Sequence, residues 1–214
     1  MIRAIIFDFD GVIVDSVDVK GHAFAEIYQK FGEVITQKVL SHHRLNGGMS
    51  RSSKFKFYHH TLLNTDLNDK ELGKLENRFS DLVLERVIAS PYINGAYEFL
   101  KENHKLYDLY ISTGTPESEI ITILNARKIN RYFKIVYGSP LLKKDQVKKI
   151  LKIGQYSNSE VVFVGDSITD KDAAILNQTH FIGKIDEYNG FQDEIFGIKD
   201  LSELSSVLKS ISKR

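Results

Sequence analysis

Two apolar segments of this chain end in the same way, with aspartates and a glycine. Residues 5–11 read IIFDFDG and residues 161–166 read VVFVGD. Short apolar runs that stop at such polar residues predict buried strands. Strand alternation places Asp8 and Asp10 on one face, and the backbone has to turn at Gly11. Both acids are therefore predicted to lie at a sheet edge where ligands bind.

Neighbouring carboxylates repel each other unless a cation joins them. A divalent metal is the usual partner, and oxygen ligands favour Mg²⁺. An isolated Asp-x-Asp-Gly string is explained equally well by solvated acids at the start of a loop. The second strand, which ends at Asp166, favours the interpretation as a functional site.

Strand-like and helix-like segments alternate along the later part of the chain, which predicts an α/β fold with a mostly parallel sheet. Strands are predicted at residues 2–9, 106–112, 134–137, 161–164 and 181–182. Helices are predicted at residues 94–103, 116–127, 143–153, 170–177 and 200–212. Asn94, Thr115 before Pro116, and Asp200 are the predicted N-terminal caps of three of these helices.

A long stretch after the first strand lacks strand character and has apolar residues at helical spacing. Residues 17–90 are therefore predicted to form a helical cap domain, and residues 1–16 and 91–214 to form the α/β core. The predicted hinges are residues 11–17 and 88–94. A unit inserted at this edge of the sheet would lie over the two acids of the first strand as a lid.

Composition excludes several functions. Of the 214 residues 42% are hydrophobic, and the net charge is +1. These values are typical of a soluble globular protein and argue against nucleic acid or an anionic membrane as a partner. No apolar run approaches the roughly 20 residues of a membrane helix, and no signal peptide is predicted. A cytoplasmic enzyme without disulfides, zinc thiolate sites or a cysteine nucleophile is expected, because the chain has no cysteine.

Four motifs together give a specific pattern. In order along the chain they are DFDGV at residues 8–12, Thr113 within ISTGTP, Lys143, and Gly165-Asp166 followed by Asp170. With these motifs the chain resembles the haloacid dehalogenase (HAD) superfamily of hydrolases, and most closely its phosphatase-like members with a helical C1-type cap. The resemblance implies a Rossmann-like parallel sheet with helices on both faces, plus a small α-helical cap domain.

The resemblance also implies catalytic roles. Asp8 would be the nucleophile that forms an aspartyl phosphate, and Asp10 would be the general acid and then the general base. Mg²⁺ would be held by Asp8, by the backbone carbonyl of Asp10 and by Asp166. Asp170 would bind the metal or orient a metal-bound water.

The same resemblance implies a phosphate-binding set. Thr113 would donate its hydroxyl to a phosphate oxygen, helped by the Gly114 amide, and Lys143 would supply an ammonium group. Two alternatives stay open at this point. Ser112 replaces Thr113 if the strand register slips by one residue, and Lys144 is adjacent to Lys143.

Substrate choice would fall to the cap. The candidate surface is a glycine-rich turn with Gly47 and Gly48, followed by Arg51 and Lys54. Glycines let a backbone approach a ligand, and the two cations could hold a second anionic or hydroxyl-rich part of a substrate. A plain glycine-rich helix connection with an exposed basic turn explains these residues equally well.

Lys20 and His22 are weaker candidates beyond the first hinge. The histidine pairs 42–43 and 59–60 are not predicted to bind metal, because neighbours on a helix point about 100° apart and share no face. All four are predicted to be ordinary helix residues.

The leading functional hypothesis is a Mg²⁺-dependent phosphatase that acts on a small phosphorylated metabolite, as a monomer or a homodimer. The alternative within the same superfamily is a phosphosugar mutase, for which the motifs are identical. Dehalogenation dispenses with the metal, so the retained acids argue against it. A non-enzymatic phosphoacceptor protein would combine similar residues but would lack the large helical insert.

Overall fold

Six parallel strands form one sheet in the computed structural model, which describes residues 1–186, 190–191 and 196–212. The order across the sheet is β3-β2-β1-β4-β5-β6. The strands are β1 (Ala4–Phe7), β2 (Asp108–Pro116), β3 (Ile135–Ser139), β4 (Val161–Gly165), β5 (His180–Lys184) and β6 (Gly197–Ile198). Because the order reverses between β1 and β4, the crevice at their carboxyl ends is where this class of sheet binds ligands.

The described residues include nine α-helices. They are α1 (Val17–Tyr28), α2 (Glu33–Leu45), α3 (Arg51–Phe57), α4 (Asp69–Ala89), α5 (Ala96–Asn103), α6 (Glu117–Ala126), α7 (Lys143–Gly154), α8 (Ile168–Leu176) and α9 (Leu204–Ile211). The predicted α/β fold with a Rossmann-like sheet and a helical insert is confirmed. None of the described helices has the length and apolar character that crossing a bilayer requires.

Both faces of the sheet are buried, which explains why β1 is apolar at every position. Ala4 and Ile6 pack with α7 and α8 on one face, whereas Ile5 and Phe7 face the larger cluster that includes α5, α6, α9 and the cap helices. Alternation continues past the strand, so the next residue, Asp8, falls on the side of α7 and α8.

The helices α1 to α4, called the cap below, pack on one another around an aromatic cluster. Phe24 of α1 lies at the centre, with ring centroids 5.3 Å from Phe55 and 4.4 Å from Phe79. The two chain crossings between the cap and the sheet run side by side: Ile93 N donates to Ile13 O at 3.0 Å. The division into two domains at residues 17 and 90 stays a prediction, and residues 187–189, 192–195 and 213–214 of the predicted core range lie outside the described residues.

Two of the three predicted helix N-caps are wrong. Asn94 does not cap α5, and its Nδ2 donates instead to Asp200 Oδ2 at 3.0 Å. Thr115 lies within β2, which extends further than predicted, and its hydroxyl donates to Asp10 Oδ2 at 3.0 Å. The third N-cap is confirmed, because the Asp200 side chain accepts from Ser202 N at 2.9 Å in the 3₁₀ turn that leads into α9.

Candidate active site

Three carboxylates meet at the carboxyl ends of the neighbouring strands β1 and β4. Asp8 follows β1, Asp166 follows β4, and Asp170 lies in the first turn of α8. Each offers an oxygen within 4.8 Å of the others, and each is at most 9% exposed. Three converging carboxylate oxygens are the donor set of a hard divalent cation, so these residues fit Mg²⁺.

Local sequence positions Asp170. Ser167 is the N-cap of α8, and its backbone N and its hydroxyl donate to Asp170 Oδ2 at 3.1 and 2.5 Å. The bond from Ser167 N is part of a capping box. The local pattern Ser-x-x-Asp therefore both begins the helix and directs the Asp170 carboxylate at the cluster.

Lys143 is the cation of this cluster. It lies at the start of α7, is buried, and its Nζ donates to Asp8 Oδ2 at 2.6 Å and to Asp170 Oδ1 at 2.5 Å. Burial opposes its charged form, but Asp170 and Asp8 outweigh that effect and raise the pKa of Lys143. The neighbouring Lys144 is exposed, so the structure places Lys143 and not Lys144 at the site.

Two acids of the cluster, Asp8 and Asp166, have raised pKa values. Burial raises the pKa of Asp8 from 3.8 to about 6; Lys143 works against this shift, and Asp170 and Asp10 add to it. Burial, followed by the charges of Asp8 and Asp170, raises the pKa of Asp166 well above its usual range. A bound divalent cation would reverse this balance by stabilising the ionised forms.

These shifts predict how the stability of the metal-free protein depends on pH. Asp8 and Asp166 bind protons more tightly in the folded state, so the free energy of unfolding falls as pH rises from about 4 through about 6. We expect Mg²⁺ to stabilise the protein increasingly across that range, by roughly 1–3 kcal/mol at pH 7. Urea unfolding with excess Mg²⁺ and with chelator, at pH 5 and pH 7, measures this difference. An equal effect of Mg²⁺ at both pH values would contradict the prediction.

Asp10 has a separate set of partners. Its Oδ1 accepts from the Ser16 hydroxyl at 2.6 Å, and its Oδ2 accepts from the Thr115 hydroxyl at 3.0 Å and from Lys20 Nζ. Burial opposes ionisation, but Lys20, Ser16 and Thr115 together lower the pKa of Asp10. The carboxylate is therefore ionised here, and its oxygens are not part of the three-carboxylate cluster. Its predicted role as a metal ligand concerns its backbone carbonyl and stays a prediction.

The turn after Asp10 requires glycine. Gly11 has φ +79°, a left-handed conformation that side chains disfavour. A Cβ at this position would also lie 2.0 Å from Asp166 Oδ2. The chain therefore turns at Gly11, as predicted, and the absence of a side chain leaves room for the second strand's aspartate.

The end of β2 supplies the predicted phosphate-binding residues. Thr113 and Gly114 line the same cavity as Asp8 and Asp10. Ser112 faces α7 instead, where its hydroxyl donates to Gln146 Oε1 at 2.6 Å, and it does not line this cavity. The structure thus brings Thr113, and not Ser112, to the site.

The glycine-rich turn of the cap is seated on the core. A Cβ on Gly48 would lie 1.7 Å from Thr169 Oγ1 and 2.4 Å from Ser167 Oγ, and a Cβ on Gly114 would lie 3.1 Å from Gly48 O. Only a residue without a side chain permits this approach. Gly47 lines the cavity beside it.

Arg51 bridges the cap to the core. Its Nη1 donates to Ser80 Oγ at 2.6 Å and to Glu119 Oε2 at 2.9 Å, and its Nη2 donates to Glu119 Oε1. Arg51 and Ser80 belong to cap helices, whereas Glu119 lies on α6 of the core. Arg51 lines the cavity, but its guanidinium group is already paired with the carboxylate of Glu119.

The side chain of Lys54 is buried, with only 2% exposed. The alternative interpretation of this segment as an exposed basic turn is therefore wrong for Lys54. Its Nζ lies 2.8 Å from Nδ1 of His43, whose Nε2 lies 3.1 Å from Val17 O. His43 and Lys54 both line the cavity, a position that the spacing of the histidines does not indicate. His22, the other histidine considered, is exposed and takes no part.

A cavity of about 40 Å³ lies between the cap and the sheet edge. Its lining combines the charged residues described above with the aromatic rings of Phe24 and Phe79. The lining also includes Lys20 and Thr115, which are predicted above as a weaker candidate beyond the first hinge and as a helix cap. Thr115 lies in the ISTGTP segment and Lys20 lies in no motif, and only a contact between distant segments brings the two together.

Three buried carboxylates and a buried lysine thus meet at one sheet edge, which is the arrangement that the motifs predict for a hydrolase. A model of the haloacid dehalogenase-like hydrolase family matches residues 5–184. This match covers most of the chain and includes every motif, so the chain belongs to that family.

Two curated relatives carry phosphatase names. The chain is 28% identical over 150 residues to a phosphorylated carbohydrates phosphatase of Thermotoga maritima, a match that covers 68% of this chain and 63% of the relative. It is 26% identical over 178 residues to a phosphoglycolate phosphatase of Pseudomonas fluorescens, covering 80% and 65%. The matched region thus spans slightly less than two thirds of the length of either relative.

Solved structures share the fold. A β-phosphoglucomutase from Clostridium difficile superimposes with a TM-score of 0.82 over 100% of this chain and 98% of its own, at 16% identity. At this identity the likeness establishes the shared architecture of sheet and helical insert.

Proposed function

We propose that the protein is a Mg²⁺-dependent phosphatase that hydrolyses a small phosphorylated metabolite through an aspartyl-phosphate intermediate. The observation that carries the proposal is the position of Asp8, whose carboxylate belongs to the three-carboxylate cluster, accepts from Lys143 and lines the same cavity as Asp10. The phosphatase names of the two curated relatives support it.

Asp8 and Asp10 divide the chemistry between them. An Asp8 carboxylate oxygen forms a bond to phosphorus while the ester P–O bond breaks, and Asp10 gives its proton to the departing alcohol oxygen. Water then attacks the aspartyl phosphate as Asp10 takes back a proton, which releases inorganic phosphate and restores Asp8.

Asp10 must change protonation state during this cycle. Without substrate its low pKa keeps it ionised, which suits the base of the second step. A phosphoryl group that enters the cavity adds negative charge near Asp10 and raises its proton affinity, which suits the acid of the first step.

The metal and the phosphate have separate proposed ligands. Asp8, Asp166 and Asp170 would hold Mg²⁺, which when bound neutralises phosphoryl charge and orients the group in line with its nucleophile. Thr113, the Gly114 amide and Lys143 would hold the phosphoryl oxygens.

The cap residues Gly47, Gly48, Arg51 and Lys54 are proposed to determine specificity by closing over the substrate's leaving group. We also propose that the protein acts in the cytoplasm as a monomer or homodimer. Its partner would be a phosphorylated small molecule and not a nucleic acid.

A phosphate-ester screen tests this function. We expect release of inorganic phosphate from at least one of a panel of sugar phosphates and 2-phosphoglycolate, dependent on Mg²⁺ and abolished by chelator. Isomer formation without phosphate release would identify a phosphosugar mutase instead. A phosphorylated protein that persists for minutes without turnover would identify a phosphoacceptor, and chloride release in chelator a dehalogenase.

Gly48→Ala tests whether the closed cap is the active arrangement. The added methyl group meets Thr169 Oγ1, so closure should cost about 1–3 kcal/mol and kcat/KM should fall roughly tenfold to hundredfold. The free energy of urea unfolding should fall by no more than this cost of closure, because a cap that does not seat on the core avoids the clash. Gly73→Ala is the matched control, since its Cβ meets nothing within 4 Å. Equal activities of the two variants would contradict the role of closure.

A further inference from the structure

Three cations of the cap line the cavity, namely Lys20, Arg51 and Lys54. A carboxylate of the protein neutralises two of them: Lys20 pairs with Asp10, and Arg51 pairs with Glu119. Lys54 forms no ion pair with any carboxylate among the residues that the structure describes. Its ammonium group is therefore the cap charge that remains for a ligand.

Lys54 is nevertheless held firmly in place. The Nε2–H of His43 donates to Val17 O at 3.1 Å, which leaves Nδ1 as the acceptor for the Lys54 ammonium at 2.8 Å. The Phe24 ring lies beneath the same ammonium, with Nζ 5.6 Å from the ring centroid. Burial and then the charge of Lys54 lower the pKa of His43 to about 3, so the imidazole is neutral and does not replace a counter-ion.

Burial of Lys54 without a carboxylate partner among the described residues disfavours its charged form. Burial, followed by the charge of Lys20, lowers the pKa of Lys54 to about 7. The charges of Asp10 and Asp166 favour the charged form of Lys54, and all three residues line the same cavity. An anion placed against Lys54 would supply the missing partner and favour its charged form.

We propose that Lys54 selects substrates by binding a carboxylate carried on the leaving group of a phosphomonoester. This inference rests on the proposed phosphatase function and deepens it, because it names the class of substrate. The substrate is a small phosphorylated carboxylic acid, with its phosphoryl group at Asp8 and its carboxylate at Lys54.

The choice of a carboxylate follows from the donors and the space. Lysine has three N–H donors, and His43 takes one of them, so two remain for a singly charged, two-oxygen group. A second phosphate would bring more charge than one ammonium balances, and Arg51 and Lys20 are already engaged. The cavity of about 40 Å³ and its aromatic walls, Phe24 and Phe79, favour a short carbon stem.

A matched pair of substrates tests the proposal on the wild-type enzyme. In 2-phosphoglycolate a carboxylate occupies the place that a methyl group has in ethyl phosphate. We expect kcat/KM with Mg²⁺ to be at least tenfold higher for 2-phosphoglycolate. Equal hydrolysis of the two esters would overturn the inference and leave the phosphatase function intact, whereas no hydrolysis of any ester would overturn both.

Lys54→Met should remove the preference. Methionine retains an apolar stem of similar length over Phe24 but has no charge, so kcat/KM should fall at least tenfold more for 2-phosphoglycolate than for ethyl phosphate. Lys56→Met is the control, because Lys56 lies on the same helix and is exposed. An equal loss on both esters would overturn the inference, since it would indicate general damage to the site.

A binding measurement covers the case in which Lys54→Met unfolds. In Asp8→Asn with Mg²⁺, calorimetry should find that 2-phosphoglycolate binds at least tenfold more tightly than ethyl phosphate. The same tenfold difference in affinity between the two esters should be found in the double variant that combines Lys56→Met with Asp8→Asn. No difference between the two esters would contradict the role of Lys54 without involving turnover.

Discussion

Replacement of Asp8 by asparagine should reduce kcat by roughly 10⁴-fold or more, because an amide oxygen cannot form the acyl phosphate of the proposed mechanism. The fold should survive. The change is nearly isosteric, and it removes a buried negative charge next to Asp166 and Asp170. Lys143 keeps Asp170 as its partner at 2.5 Å.

Phosphate release and intermediate trapping measure this effect. Wild type should form an acid-stable, hydroxylamine-sensitive phosphoenzyme, and Asp8→Asn should form none. Asp15→Asn is the matched control, since Asp15 is an exposed aspartate in the adjacent crossing. Activity of Asp8→Asn within tenfold of wild type would refute the covalent mechanism.

Replacement of Lys143 by methionine should destabilise the metal-free protein by about 3 kcal/mol at pH 7. Its ammonium is the buried cation that contacts Asp8 and Asp170, so its loss leaves buried carboxylates facing one another. The penalty should shrink at pH 5, where the raised pKa of Asp8 allows that group to be protonated. Excess Mg²⁺ should also offset part of it.

Urea unfolding of Lys143→Met at both pH values, with chelator and with Mg²⁺, measures these effects. Lys144→Met should unfold like wild type, because its side chain is exposed. Activity of Lys143→Met should fall as well, since the same ammonium is proposed to contact the phosphoryl group. A variant as stable as wild type in chelator at pH 7 would show that the carboxylates do not depend on this cation.

The fold and the acids at its edge could be predicted because they depend on local sequence. Apolar runs that end in aspartate mark β1 and β4, and parallel pairing then brings Asp8 and Asp166 together. Thr113 and Lys143 follow from the order of the motifs. Strand β6, with two residues, is too short for periodicity to reveal.

The contacts between the cap and the core could not be predicted in the same way. Glu119 and Arg51 are 68 residues apart in the chain, and neither local sequence indicates that the two side chains form an ion pair. Lys20 reaches Thr115 across 95 residues. The helical spacing of His42 and His43 argues only against a shared metal ion. It does not indicate that His43 contacts Lys54 on another helix. Packing of α1, α2 and α3 decides these pairs, and residue spacing does not encode it.

The bidentate pair of Arg51 and Glu119 constrains how the lid can move. In a wide-open state water solvates both groups, and in the seated state they satisfy each other. A half-shut lid would separate them while still excluding solvent, which is the most costly arrangement for two charges. Intermediate positions are thus disfavoured, and the lid should behave as a two-position switch whose transitions, and not a continuous swing, set when the chamber admits and releases molecules.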